Sequence, residues 1–105
     1  MPDNQDKMLV KIHNSYRLVL AICDKELIDK KFEQDNMELD LTGSFFKGEE
    51  KTEEEVLKII QNSAKEDATF DIVGEKSINL ALKSGLINKQ GIKKIQGIPV
   101  ALVLL

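Results

Sequence analysis

Ile72-Val73-Gly74-Glu75-Lys76-Ser77, with Gly85 further along, is the stretch on which the reading of the fold turns. Ala68–Val73 reads as a short strand, and Gly74 turns the chain out of it. From Glu75 the period changes to that of a helix over Glu75–Ser84, with Ile78, Ala81 and Leu82 as its apolar stripe. Gly85 suits the left-handed residue that ends a helix, and Leu86 packs back over it. A strand, a glycine turn and an amphipathic helix in direct succession point to helices packed on a sheet.

Upstream, Thr52-Glu53-Glu54-Glu55 matches a capping box, and its glutamates suit the positive end of a helix dipole. The helix that follows, Glu53 to Lys65, is expected to bury Val56, Leu57, Ile59, Ile60 and Ala64. Met37–Leu41 alternates strictly, as a half-buried strand does, with Glu38 and Asp40 facing out. A loop over Thr42–Gly48 follows it. Asp24 is placed to N-cap a helix over Lys25–Glu33, with Leu27, Ile28 and Phe32 inside. Met8–His13 and Arg17–Cys23 read as a hairpin around Asn14–Tyr16, the second strand covered on both faces. Downstream, Asn88 is expected to cap a short helix over Lys89–Ile95, closed by Gly97. Ile98–Leu105 carries no charge and is expected to be an interior strand. The sum is a single small α+β domain, with a mixed sheet of about five strands in the order β-β-α-β-α-β-α-α-β. Residues 1–7 are expected to be a flexible tail and residues 8–105 the domain.

Composition agrees with one domain: 105 residues, 42% hydrophobic and 31% charged. No apolar run approaches the ~20 residues a membrane helix needs, and the polar start Met1–Lys7 lacks the apolar core of a secretory signal. A lone cysteine, Cys23, has no partner for an internal disulfide, which points to a reducing, cytoplasmic setting. Charge is uneven. Residues 1–70 hold 10 Lys+Arg against 16 Asp+Glu, whereas residues 71–105 hold 5 lysines against only Asp71 and Glu75.

Several groups of residues bear on function. One His and one Cys cannot close a zinc site, and no calcium-loop spacing occurs, so no metal and no cofactor is expected. With Asn14–Tyr16 as the turn, His13 falls opposite Arg17 and about 20 Å from Cys23, too far for a nucleophile–base pair. Gly74, Lys76 and Ser77 begin a helix, where free N–H groups, the dipole and an ammonium can hold a phosphate or carboxylate. The spacing is not that of a P-loop, and simple strand-to-helix punctuation is the alternative. Lys83, Lys89, Lys93 and Lys94 extend the positive charge if they share a face. His13 and Tyr16 at the hairpin end, and Phe45-Phe46 in the glycine-flanked loop, are candidate partner contacts. Of the two phenylalanines, one is expected to plug the core edge and the other to be exposed.

The ordered segments Met8–His13, Ser44–Gly48, Asp71–Ser77, Gly85–Ile87 and Ile95–Pro99 resemble the small archaeal proteins grouped as domain of unknown function 424. The resemblance covers nearly the whole chain after Lys7. It implies a cytosolic single-domain α+β protein and brings no catalytic set. Where that pattern tends to Asn, this chain has Asp71. Where it often has His after the C-terminal Gly-x-Pro, this chain has Val100. The latter departure speaks against an enzyme.

Three functional classes follow. The first is a non-enzymatic binding or adaptor module serving RNA, a ribonucleoprotein or the translation machinery. The second is a small enzyme acting on a phosphorylated or nucleotide substrate at Gly74–Ser77. The third is a structural subunit that buries its terminal strand against a protein partner or a copy of itself as a homo-oligomer.

Overall fold

The computed structural model describes residues 7–14 and 16–104. Of the expected tail only Lys7 falls within these; the rest of the tail, Ser15 of the expected turn and Leu105 lie outside the described residues. Strands β1 (Met8–Asn14) and β2 (Leu18–Asp24) form the expected hairpin, with Asn14 opposite Leu18 and His13 opposite Val19. Three residues separate Asn14 from Leu18, as many as in the expected turn but one place further along the chain, so His13 does not face Arg17. Cys23 lies opposite Leu9, still about 13 Å along the strand from the level of His13.

The chain departs from expectation just after β2. Lys25–Glu33 is not a helix: Lys25–Leu27 makes one 3-10 turn, and Lys31–Gln34 is a strand, β3. Strand β3 pairs antiparallel with β4 (Met37–Asp40) as a two-stranded sheet of its own. A nearby strand with the alternating pattern outweighed a weak local helix preference. After the loop, a short strand unforeseen in the sequence, β5 (Glu49–Lys51), pairs with the start of β1. Its three residues are all charged, and such a strand exists because a partner edge is there, not because of its own propensity.

Helix α1 (Glu53–Ala64) follows with the capping box as read. Thr52 accepts from the Glu55 N–H at 3.3 Å and donates its own N–H to the Glu55 carboxylate at 2.9 Å. Strand β6 (Thr69–Val73) and helix α2 (Glu75–Ser84) also match. Gly85, at φ 85°, ends α2 in the left-handed conformation, and the Leu86 N–H closes the cap on the Ala81 carbonyl.

The expected helix over Lys89–Ile95 is corrected as well. Asn88 caps only a 3-10 turn, Lys89–Gly91, and Lys93–Ile95 is strand β7. Gln96 and Gly97 both take positive φ, as a two-residue hairpin turn requires, and lead into β8 (Ile98–Leu104).

The main sheet has six strands in the order β5-β1-β2-β6-β8-β7, parallel between β2 and β6 and antiparallel elsewhere. Alternation sorts its side chains into two cores. One face packs Met8, Val10, Leu20, Ile22, Phe70 and Ile72 against Val56 and Ile60 of α1 and Ile78 and Ala81 of α2. The other packs Ala21, Cys23, Val73 and Ile95 beneath Leu39, Leu41 and Phe46 of the small hairpin and its following loop. The helices cover one face along most of its length, whereas the hairpin covers only the end of the other face near Cys23 and Val73. Strand β8 lies between β6 and β7 as expected of an interior strand, but β7 pairs with Ile98–Val100 alone. Leu102 and Leu104 remain 59% and 71% exposed, contrary to the expected burial of the whole segment. Among the described residues no helix is long and apolar enough to cross a membrane.

Candidate functional site

At the turn Gly74–Ser77 a carboxylate does sit on the helix N-terminus, and it belongs to the chain itself. Asp24 ends β2, the parallel neighbour of β6, so its side chain emerges beside the start of α2. The Lys76 and Ser77 N–H groups donate to Asp24 at 3.0 and 2.8 Å, and the Ser77 hydroxyl donates at 2.7 Å. Asp24 and Ser77 are both buried. Gly74 makes the approach possible: at φ 107° it adopts a conformation few side chains tolerate, and a Cβ there would stand 2.3 Å from the Asp24 carboxyl carbon. Lys76 reaches the Glu26 carboxylate at 3.2 Å.

The space beside this cap is acidic. A cavity of about 200 Å³ is lined by Asp24, Glu26 and Glu75 with Leu27, Gly97, Ile98 and Pro99. An incoming phosphate would have to displace Asp24 and pass two further carboxylates. Helix dipole and N–H donors are present as the sequence indicated, but they are engaged internally. Asp24 thus caps a helix, as its residue type foretold, though not the one next to it in sequence.

The remaining lysines do not all share one face. Lys83 is on the last turn of α2 and Lys89 on the 3-10 turn. Lys93 and Lys94 are adjacent on β7 and point to opposite sheet faces: Lys93 opposite Val100 on the hairpin side, Lys94 opposite Pro99 on the helix side.

The structure does bring together His13, Phe45 and Phe46. The His13 ring stacks on Phe45 with centroids 4.4 Å apart, and His13 Nε2 lies 3.0 Å from the Phe45 carbonyl oxygen. Phe45 meets Phe46 edge-on at 5.1 Å. Phe46 plugs the core edge and Phe45 is exposed, as expected of the pair. Tyr16 stands fully exposed at the hairpin end. Arg17 beside it donates to the Asp67 carbonyl at 3.2 Å.

His13 borders the part of the sheet face beyond the small hairpin, where Ala21 and Thr69 are buried and Leu102 and Leu104 are exposed. Cross-strand register sets two rows there. His13, Val19, Thr69 and Leu104 form one; Lys11, Ala21, Asp71 and Leu102 form the next. Asp71 is half-buried in this apolar setting and makes no ion pair or hydrogen bond among the described residues. Burial pushes its carboxyl above the usual carboxylate range, and the His13 charge draws it back in part. Asp71, Leu102 and Leu104 were not among the residues expected to form a site. A single carboxylate inside an otherwise apolar strand was the available signal for the first, and an uncharged final strand with no secure second neighbour for the others.

Cys23 is buried, and its thiol is pushed up to about 12 by burial first and by the neighbouring Asp24 and Glu26 charges next. It donates to the Asp24 carbonyl at 3.3 Å and offers no thiolate at neutral pH. Among the described residues no group of three or more His, Cys, Asp and Glu side chains is gathered in a metal-holding arrangement.

No functionally curated protein matches the chain. Its fold is similar to the crystal structure of an uncharacterized conserved protein from Methanopyrus kandleri, at 22% sequence identity and a TM-score of 0.82, covering 93% of this chain and 92% of that one. That likeness carries the six-stranded architecture with its two helices, and a family model carries the sequence itself. Matched over residues 12–105, which include the Asp24 cap, Asp71 and the exposed leucines of β8, the chain belongs to the family described as Protein of unknown function (DUF424).

Proposed function

We propose that the chain is a non-enzymatic binding module whose contact surface is the open half of the sheet face between the His13–Phe45 stack and Leu102–Leu104. One observation carries this reading. The hairpin stops short, leaving two leucines and a phenylalanine exposed around a half-buried, unpaired carboxylate. Isolated exposed leucines are ordinary, but leucines two residues apart on one strand form a continuous patch, and such patches mark contact surfaces. The thiol of Cys23 and the donors of Gly74–Ser77 are engaged in structure, which favours binding over turnover.

A second reading, an association with RNA or the translation machinery, draws support from the exposed aromatic stack, on which a base can lie. It also has the exposed lysines Lys83, Lys89, Lys93 and Lys94 for phosphate contacts. A pull-down from lysate, with and without nuclease, compares the native chain with the Leu102→Ser/Leu104→Ser variant. Partners retained after nuclease and lost with the variant are the expected result. Partners lost on nuclease treatment and indifferent to the variant would favour the RNA reading, and partners indifferent to both would remove the open face as the contact surface.

A further inference from the structure

Two features meet at one corner of the open face. Along β8, Ala101–Leu104 pairs with β6 on one side and with no described strand on the other, because β7 ends its pairing at Val100. An edge of this kind presents free N–H and C=O groups to an added strand. One strand inward, Asp71 lies directly beside Leu102. It is half-buried and meets the His13 charge, but it makes no ion pair or hydrogen bond among the described residues, and Lys11, two strands away across Ala21, does not pair with it.

We propose that this corner receives an extended segment of a protein partner, added along the open edge of β8 and carrying a basic side chain that reaches over Leu102 to Asp71. This rests on the open half-face being the contact surface and names its ligand class. Side chains of an added strand alternate, so residues two apart fall on the face that bears Leu102 and Leu104. A segment alternating apolar, polar, basic, polar, apolar satisfies the two leucines and the carboxylate at once. An arginine side chain, longer than that of Lys11, also spans the apolar ground between the edge and Asp71 while its forked end makes the pair. Charge selects this occupant over a second copy of the chain. Ile98–Leu105 has no basic residue, so β8 paired with itself would bring leucine to leucine and leave Asp71 unmet.

The test uses two blocked pentapeptides, Val-Thr-Arg-Thr-Val and Val-Thr-Glu-Thr-Val, titrated into the isotopically labelled full chain and followed by amide chemical shifts. The expected result is perturbation of Ala101–Leu104 and Asp71, with the arginine peptide binding about tenfold tighter, the scale of one charge-assisted hydrogen bond at a partly exposed site. Asp71→Asn should erase that preference and leave the fold intact. Equal binding of both peptides at Ala101–Leu104 would overturn the basic partner and leave the contact surface standing. Binding of neither there would overturn both. Concentration-dependent sedimentation as a dimer that blocks the peptides would assign the edge to a second copy instead and overturn the proposal.

Discussion

Helix α1 receives its cap from its own first turn, where Thr52 and Glu55 exchange hydrogen bonds three residues apart, whereas α2 receives its cap from Asp24, 52 and 53 residues from the groups it accepts. The first cap is exposed and the second buried. The difference is one of reach. Thr52 organises one helix end, while Asp24 joins the end of β2 to the start of α2 and so fixes the parallel pair β2–β6 beneath it. A buried acceptor with three donors also leaves those donors stranded when it is removed, a penalty that an exposed cap escapes because water replaces it.

The comparison can be broken at Asp24 first. Asp24→Ala strands the Lys76 and Ser77 N–H groups and is expected to lower stability by on the order of 3 kcal/mol in chemical denaturation. A loss below ~1 kcal/mol would mean that the distant cap is no stronger than a local one. Gly74→Ala comes next, at about 2 kcal/mol, from its positive φ and the contact with the carboxylate. In the Asp24→Ala background that cost should shrink, since part of it is the clash. Strict additivity of the two substitutions would show that backbone strain alone acts there.

Thr52→Ala should cost about 1 kcal/mol, as exposed N-caps do. Its partner Glu55 adds a pH signature. Hydrogen bonds from Thr52, the backbone one first, hold the Glu55 carboxyl below its ordinary range. The cap's contribution is therefore complete above that range and is lost as pH falls through the lowered folded value. Melting temperatures of the native chain and Thr52→Ala should converge in acid.

Asp71 provides the smallest effect and the opposite sign. Its carboxyl is raised, so the native state is favoured when the group is neutral, below its ordinary value, and that advantage is lost as pH rises through the raised folded value. Asp71→Asn should thus melt higher than the native chain at neutral pH, with the gap closing as pH drops through the carboxylate range. A native chain that melts higher at neutral pH would show that Asp71 has a partner in solution and is not the unpaired group described.

Residue order alone sets whatever depends on neighbours a few residues apart. It placed the hairpin β1–β2, the capping box and span of α1, the strand–turn–helix of β6 and α2, the Gly85 cap and the division of labour between Phe45 and Phe46. Hydrogen bonds over three or four residues and a period of 2 or 3.6 write these directly into residue order. Long-range packing, by contrast, makes strands of Lys31–Gln34 and Lys93–Ile95, pairs Glu49–Lys51 at all, and sets Asp24 on α2 instead of its own successor. Among the described residues it also leaves β8 without a second neighbour beyond Val100, beside an Asp71 that has no ion pair. Each of these turns on which strand edge or helix end lies across the sheet, and a carboxylate or a short charged segment has no local preference strong enough to choose in advance.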